Sequence, residues 1–260
     1  MFRLSKVNLF GLDIYAGNKD DLLIQIEEWI NNNNRYTNIF TPNVDHICKL
    51  EDESLESFNR LPLKWTYREA FLIPDGMPLV WASRLLGTPL KERIPGSDLL
   101  SDLLWLANSN QWSMVFVLPN KEVKVKLKEY ITDYYPNINL YDSSIASFPF
   151  EGRGNNREQI ANDIWELEVD IVLVCLGFPR QERWLIEYGH GLRAKLGIGL
   201  GASPEFLVGM KKRAPKWIGR IGMEWLHRAL TDRRLIPRYL SNVYFLWLVM
   251  RELLNKWRGK

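Results

Sequence analysis

Residues 169–188 read VDIVLVCLGFPRQERWLIEY, and the class of fold follows from how they are parsed. Val169 to Leu176 is an almost unbroken apolar run, rich in branched side chains. Such a run is the mark of a strand buried on both faces, as in a parallel sheet covered by helices. Gly177 to Arg180 then breaks the pattern as a loop. Gln181 to Tyr188 resumes at helical spacing. A strand, a tight link and a helix form the repeating unit of α/β proteins.

Working outward, the same alternation recurs. Upstream, Arg157 to Glu168 reads as a helix. Downstream, Arg193 to Leu200 (RAKLGIGL) reads as a strand with glycines at its end. Trp112 to Leu118 (WSMVFVL) is a buried strand, Lys121 to Tyr135 a helix stopped by Pro136, and Asn139 to Ser143 the next strand. Nearer the N-terminus, residues 3–11 form an edge strand, and Leu12 to Tyr15 a short continuation. Asp20 to Asn31 is an amphipathic helix carrying Leu22, Leu23, Ile26, Trp29 and Ile30 on one face. Tyr36 to Thr41 is a strand, His46 to Leu50 begins a helix, and Arg68 to Ile73 is a short strand. The expected fold is therefore α/β: a Rossmann-like, mostly parallel sheet with helices on both faces.

Strand patterns stop near Gly209. Residues 211–260 carry 13 Lys and Arg against three Asp and Glu, whereas the first 210 residues carry 21 against 28. Four of the eleven tryptophans fall in that last segment. Basic helices are expected at Trp217 to Leu230 and about Pro237 to Trp257. The reading is a catalytic domain over residues 1–209 and a basic helical appendage over 210–260. Cationic and aromatic side chains together suit an anionic surface or ligand. A pair of basic helices packed on the body explains the same pattern.

Composition removes several classes. Cys48 and Cys175 lie in apolar contexts and make no CxxC pair, so a disulfide framework is not expected and a reducing cytoplasm fits. His46, His190 and His227 are too scattered for a zinc site. No secretory leader and no run long enough for a transmembrane helix is seen.

The chemistry concentrates in Ile73 to Leu100, IPDGMPLVWASRLLGTPLKERIPGSDLL. Asp75 and Gly76 stand at the mouth of a helix. Asp75 can accept a proton from an attacking hydroxyl, can cap that helix, or can do both. Pro78 suits the first helical turn. Arg84 sits mid-helix among apolar residues and is expected to be buried against a carboxylate. Arg93, in the loop after Gly87, either meets a departing diphosphate with its fork or pairs with Glu92 or Asp98. In open α/β sheets, ligands gather beyond the carboxyl ends of the strands. Four segments qualify: Thr41–Pro42–Asn43, Asp75–Gly76, Gly177 through Glu182, and Gly199 through Ser203. Thr41 and Asn43 offer a hydroxyl and an amide, or an ordinary turn. Gln181 binds without reacting, or simply starts a helix. Gly199 and Gly201 expose backbone amides but lack the spacing of a dinucleotide fingerprint. No Asp-x-Asp pair exists to hold a divalent ion against a diphosphate, and no cofactor is called for.

Five ordered stretches resemble the WecG/TagA/CpsF family of bacterial glycosyltransferases: TPNVDH from Thr41, PDGMPLVWASRLLGTPLKERIPGSDL from Pro74, LGFPRQERW from Leu176, GLGASPEFLVGMKKRAPKW from Gly199 and GMEWLHR from Gly222. The resemblance runs from about Val7 to Tyr239. It implies an inverting, metal-independent transfer from a UDP-sugar donor to a polyprenyl-diphosphate-linked acceptor, feeding teichoic acid, capsule or exopolysaccharide. It places the enzyme peripherally on the cytoplasmic face of the plasma membrane. It further implies Asp75 as base, with Thr41, Asn43, Arg93 and Gln181 in the active site. Arg228 and Arg238, in the appendage, would complete that site. A homodimer is compatible with the family, and no nucleic acid is expected as partner. The sequence departs from the family pattern at Pro78, at Ser203–Pro204–Glu205 and at Asp232–Arg233. Two other classes compete: a nucleotide-dependent oxidoreductase, and a non-enzymatic module that binds an anionic surface or nucleic acid.

Overall fold

The computed structural model describes residues 4–32, 35–51, 63–146, 156–212, 218 and 241–258. Among these, nine strands form one sheet in the order β1-β2-β4-β3-β9-β8-β5-β6, with β7 also pairing β5. The strands are β1 (Lys6–Leu9), β2 (Leu12–Tyr15), β3 (Thr37–Phe40), β4 (Phe71–Leu72), β5 (Ser113–Leu118), β6 (Asn139–Leu140), β7 (Ser144–Ile145), β8 (Ile171–Val174) and β9 (Leu196–Gly199). Every pairing is parallel except β1 with β2. The expected α/β fold with a mostly parallel sheet is what the chain adopts.

Alternation of side chains explains why helices cover both faces. Ile171 and Leu173 of β8 point into one apolar core, Val172 and Val174 into the other. Met114, Phe116 and Leu118 of β5 join the first, Val115 and Val117 the second. One core is closed by α1 (Lys19–Asn32), α5 (Gly96–Asn110) and α6 (Lys121–Tyr134). The other is closed by α2 (Val44–Leu50), α4 (Met77–Leu85), α7 (Arg157–Trp165), α8 (Arg180–Tyr188) and a last helix, α10 (Ser241–Arg258). Two shorter helices, α3 (Leu63–Arg68) and α9 (Ser203–Leu207), fill the gaps between them.

The structure corrects the reading of the N-terminus. Leu12 to Tyr15 is a strand, paired antiparallel with β1 through a two-residue turn at Phe10 and Gly11. Both turn residues have positive φ, 54° and 74°. This twist matches that of the flanking strands, but its usual signature is Asn-Gly or Asp-Gly. Phenylalanine in the first position conceals it.

Of the basic tail, α10 packs on α2. Phe245, Leu248 and Val249 are buried in the core, and Arg251 bonds Glu51 at 2.7 Å. Glu51 also takes Lys64 at 2.5 Å. Burial alone would raise the Glu51 pKa, but Lys64 and Arg251 outweigh it and hold the carboxyl below its ordinary value. The expected helix at Trp217 to Leu230 lies outside the described residues, apart from position 218.

Candidate active site

Four strands end flush at one edge of the sheet. Phe40 of β3 stands opposite Leu72 of β4 and Gly199 of β9, and Gly199 stands opposite Val174 of β8. The four segments picked out from the sequence therefore leave the sheet side by side. The chain reverses direction here, since β4 lies on one side of β3 and β9 on the other. Crevices at such reversals are where α/β proteins bind ligands.

Short hydrogen bonds knit these exits together. The Ile73 amide donates to the Phe40 carbonyl at 2.9 Å, and the Asp75 amide donates to the Pro42 carbonyl at 2.9 Å. The Ile94 amide donates to the Pro74 carbonyl at 2.7 Å. Arg93 is thus carried alongside Asp75 although 18 positions separate them in the chain. The Thr41 hydroxyl donates to the Gly199 carbonyl at 3.4 Å, linking the exits of β3 and β9. Asn43 caps α2, its Oδ1 accepting the His46 amide at 3.2 Å. Gly96, at the start of α5, lies against the same group: a Cβ there would come 3.3 Å from the Ser203 hydroxyl and 3.6 Å from that of Thr41.

Asp75 is half-buried and is not the cap of α4. That position belongs to Gly76, at φ 129°, and no side chain caps the helix. The carboxylate stands one residue before the cap because the chain must turn sharply at Gly76, where only glycine is unstrained. Arg84 also departs from expectation. It is exposed in the last turn of α4, about 10 Å along the axis from the helix start at 1.5 Å per residue. Its neighbours in sequence are apolar because they face the core, and Arg84 faces away. Arg228 and Arg238 lie outside the described residues.

Gln181 is 2% exposed, and both ends of its amide are hydrogen-bonded. Oε1 accepts the backbone amides of Gly177 at 3.1 Å and Gly201 at 2.8 Å, while Nε2 donates to Glu182 at 2.9 Å. It ties together the loops beyond β8 and β9. Gly199 makes room for it, since a Cβ there would sit 2.9 Å from Nε2 and 3.2 Å from Cδ. Gly201 takes φ 53° to turn its amide toward Oε1. Cys175 immediately follows β8 but is buried, and burial pushes its thiol pKa well up, so no thiolate is offered there. Glu182 closes one of the four segments picked out from the sequence, where no chemical role is assigned to it. It is completely buried, and desolvation raises its pKa to about 7 despite hydrogen bonds from Gln181 and Tyr67. An acid following a glutamine on a helix looks like solvated surface until the helix is seen face-on to the sheet.

The edge thus brings together a carboxylate, an arginine, a hydroxyl, and backbone turned by glycines. Such a set can bind an anion and remove a proton. The model of the Glycosyl transferase WecG/TagA/CpsF family matches residues 7–259. An N-acetylglucosaminyldiphosphoundecaprenol N-acetyl-beta-D-mannosaminyltransferase of Bacillus subtilis (strain 168) is 33% identical over 186 residues, covering 72% of this chain and 70% of that one. A protein of the same name from Staphylococcus aureus (strain MRSA252) is 26% identical over 250 residues, 95% of this chain and 93% of that one. The oxidoreductase and binding-module readings give way to a transferase: from β1 to the end of α10, the chain belongs to the WecG/TagA/CpsF family of glycosyltransferases.

Proposed function

We propose that this protein transfers N-acetylmannosamine from its UDP derivative to N-acetylglucosamine carried on a polyprenyl diphosphate, with inversion at the anomeric carbon. The observation that carries the reading is the backbone pairing of Ile94 with Pro74, which brings the segments bearing Arg93 and Asp75 together beside the exit of β3. The names of the relatives support the acceptor and the sugar. Asp75 accepts the proton of the acceptor hydroxyl as its oxygen attacks the anomeric carbon from the face opposite UDP. One displacement inverts the centre. The bond to the diphosphate breaks, and its electron pair leaves with UDP. Arg93 stabilises that growing charge with a planar fork suited to phosphate oxygens. Thr41 and Asn43 lie at the same edge, beyond β3, and Gln181 keeps the glycine loops in place. Arg228 and Arg238 add positive charge from the tail. Arginines and backbone amides take the part that a metal held by Asp-x-Asp plays elsewhere, a role supported by the absence of that motif from the sequence.

The enzyme works at the cytoplasmic membrane surface, with residues 210–260 as the membrane-facing appendage to a catalytic domain of 1–209. Support comes from α10. Val243, Leu246, Trp247, Met250, Leu254 and Trp257 are all exposed. At 100° per residue they fall along one stripe, opposite the buried Phe245, Leu248 and Val249. No described helix is long and apolar enough to cross a membrane. An apolar stripe bordered by Arg251 and Arg258 suits a helix lying in the interface, while Lys256 turns to the body and donates to the Leu86 carbonyl at 2.6 Å.

Incubation of the protein with UDP-N-acetylmannosamine and a synthetic polyprenyl-diphosphate N-acetylglucosamine, read by mass spectrometry, tests this. A product heavier by one N-acetylhexosamine, with release of UDP, is expected. A screen in which another UDP-sugar alone is used would replace the donor. Consumption of no UDP-sugar would remove the reaction.

A further inference from the structure

Behind the site runs a continuous hydrogen-bonded chain. The amides of Gly177 and Gly201 donate to Gln181 Oε1, and Gln181 Nε2 donates to Glu182 Oε1. Tyr67 Oη lies 3.3 Å from the same carboxylate oxygen and 2.9 Å from His46 Nδ1. The His46 backbone amide in turn donates to Asn43 Oδ1. Glu182 and Tyr67 have no solvent exposure. Glu182 Oε2 has no hydrogen bond of ordinary geometry among the described residues, although the residue's own backbone amide helps to lower the carboxyl pKa against burial. The chain therefore joins the exits of β3, β8 and β9 through α2, α3 and α8.

A buried carboxyl with an orphaned oxygen is costly to keep, so its place demands a reason. Glutamine can present its amide either way round. Two backbone donors require Oε1 on the loop side, and an acceptor on the far side enforces it. A carboxylate accepts only. Glu182 is that acceptor, and it selects the orientation that lets Gln181 hold both loops.

We propose that Glu182 is a positioning residue for the transfer reaction. Through Gln181 it fixes the Gly177 and Gly201 loops in the geometry that receives the donor's nucleotide, and through Tyr67 and His46 it registers them against Asn43. This rests on the reaction proposed above. Ionisation strengthens both of its hydrogen bonds, because charged acceptors bind donors more tightly. The groups facing this chain are His46 and Asp45 of α2, Tyr67 of α3, and Arg183 of α8. Lys49 pairs with Asp45 at 2.9 Å and lies over the ring of Phe178, which stacks on His46. The donor KM is expected to fall as pH rises through Glu182 ionisation.

Three variants separate the contributions. Glu182→Met removes the acceptor. It should raise hydrogen exchange at the Gly177 and Gly201 amides about tenfold, and donor KM about tenfold, with kcat changed by less than about threefold. Glu182→Gln keeps a carbonyl acceptor of the same shape. It should hold exchange near the parent value while flattening the dependence of KM on pH between about 6 and 8. Tyr67→Phe, which removes only a hydroxyl, should move the midpoint of that dependence upward. Parent-like exchange at Gly177 and Gly201 in Glu182→Met would overturn the proposal. So would an unaltered KM profile in Glu182→Gln or an unmoved midpoint in Tyr67→Phe. Exchange needs no sugar nucleotide. Loosened loops in a protein that consumes no UDP-sugar would thus uphold the hold of Glu182 on the loops and sink the reaction instead.

Discussion

Asp75 concentrates the chemical question at the scale of one residue. Asparagine keeps its size and hydrogen-bonding shape but cannot accept a proton under these conditions. Asp75→Asn is expected to lower kcat by about a hundredfold or more, the usual share of a general base, with the melting temperature unchanged within about 2 °C. Parent-like turnover would take Asp75 out of the mechanism. Glu182 yields a prediction of opposite kind, on stability. Its folded pKa of about 7 stands above the ordinary 4.5. The folded protein therefore holds a proton that the unfolded chain releases between those values. Its contribution is fully favourable below about pH 4.5 and is lost as pH rises toward 7 and beyond. Glu182→Gln removes that loss, so its stability relative to the parent should improve from pH 5 to pH 8 by up to about 3 kcal/mol. Urea denaturation at the two pH values measures it, and a constant difference would contradict the burial argument.

Pairs of elements show why single residues carry weight. Gly197 and Gly199 alternate along β9 toward α8, where a side chain at Gly197 would overlap the Tyr36 phenol and Leu185. Their absent side chains let α8 approach the sheet and bring Gln181 over the strand end. Gly199→Ala forces a methyl to 2.9 Å from Gln181 Nε2. It is expected to cost about 1–3 kcal/mol through overpacking and to raise donor KM as the loops shift, which unfolding curves and kinetics read separately. The α2–α10 pair offers a second test. Glu51 meets Lys64 and Arg251 with its carboxyl held low, so its pairing stabilises the fold above the ordinary carboxylate range and is lost as pH falls through the depressed pKa. Arg251 is 36% exposed, which screens the pair. Glu51→Gln should cost about 1 kcal/mol at pH 7 and increase proteolysis within 241–258. The penalty should shrink as pH falls below the ordinary carboxylate range and through the depressed pKa.

At the scale of the molecule, the proposed contact of the basic tail with the membrane is tested on the exposed stripe of α10. Exchange of Trp247 and Met250 for serine removes two members of the exposed stripe on α10 while leaving Phe245, Leu248 and Val249 in the core. Sedimentation with vesicles containing anionic lipid should fall by about tenfold or more, given about 25 cal/mol for each Å² of apolar surface withdrawn from water. Transfer to a water-soluble acceptor analogue should persist. Undiminished sedimentation would place membrane contact elsewhere in the chain.

Local patterns carried the broad architecture. The unbroken apolar runs of β5 and β8 announced a sheet covered on both sides, and glycines and polar residues at the strand ends marked the edge that gathers Thr41, Asp75, Gln181 and Gly201. These signals are legible because backbone periodicity and burial act over a few neighbouring residues. The Phe10–Gly11 turn escaped because its residue types are unusual for the conformation. Asp75 proved not to be the cap, and Arg84 proved exposed, because a helix's rotation and its starting residue are set by what it packs against. The Gln181–Glu182–Tyr67–His46 chain was invisible for a stronger reason. Its members come from three helices up to 136 positions apart, and whether a carboxyl is solvated or sealed depends on which surfaces meet. Sequence determined which groups are present and which strands bury them; tertiary packing alone decided which of those groups share a proton or a hydrogen bond, because desolvation and contact belong to assembled surfaces and not to any single stretch of chain.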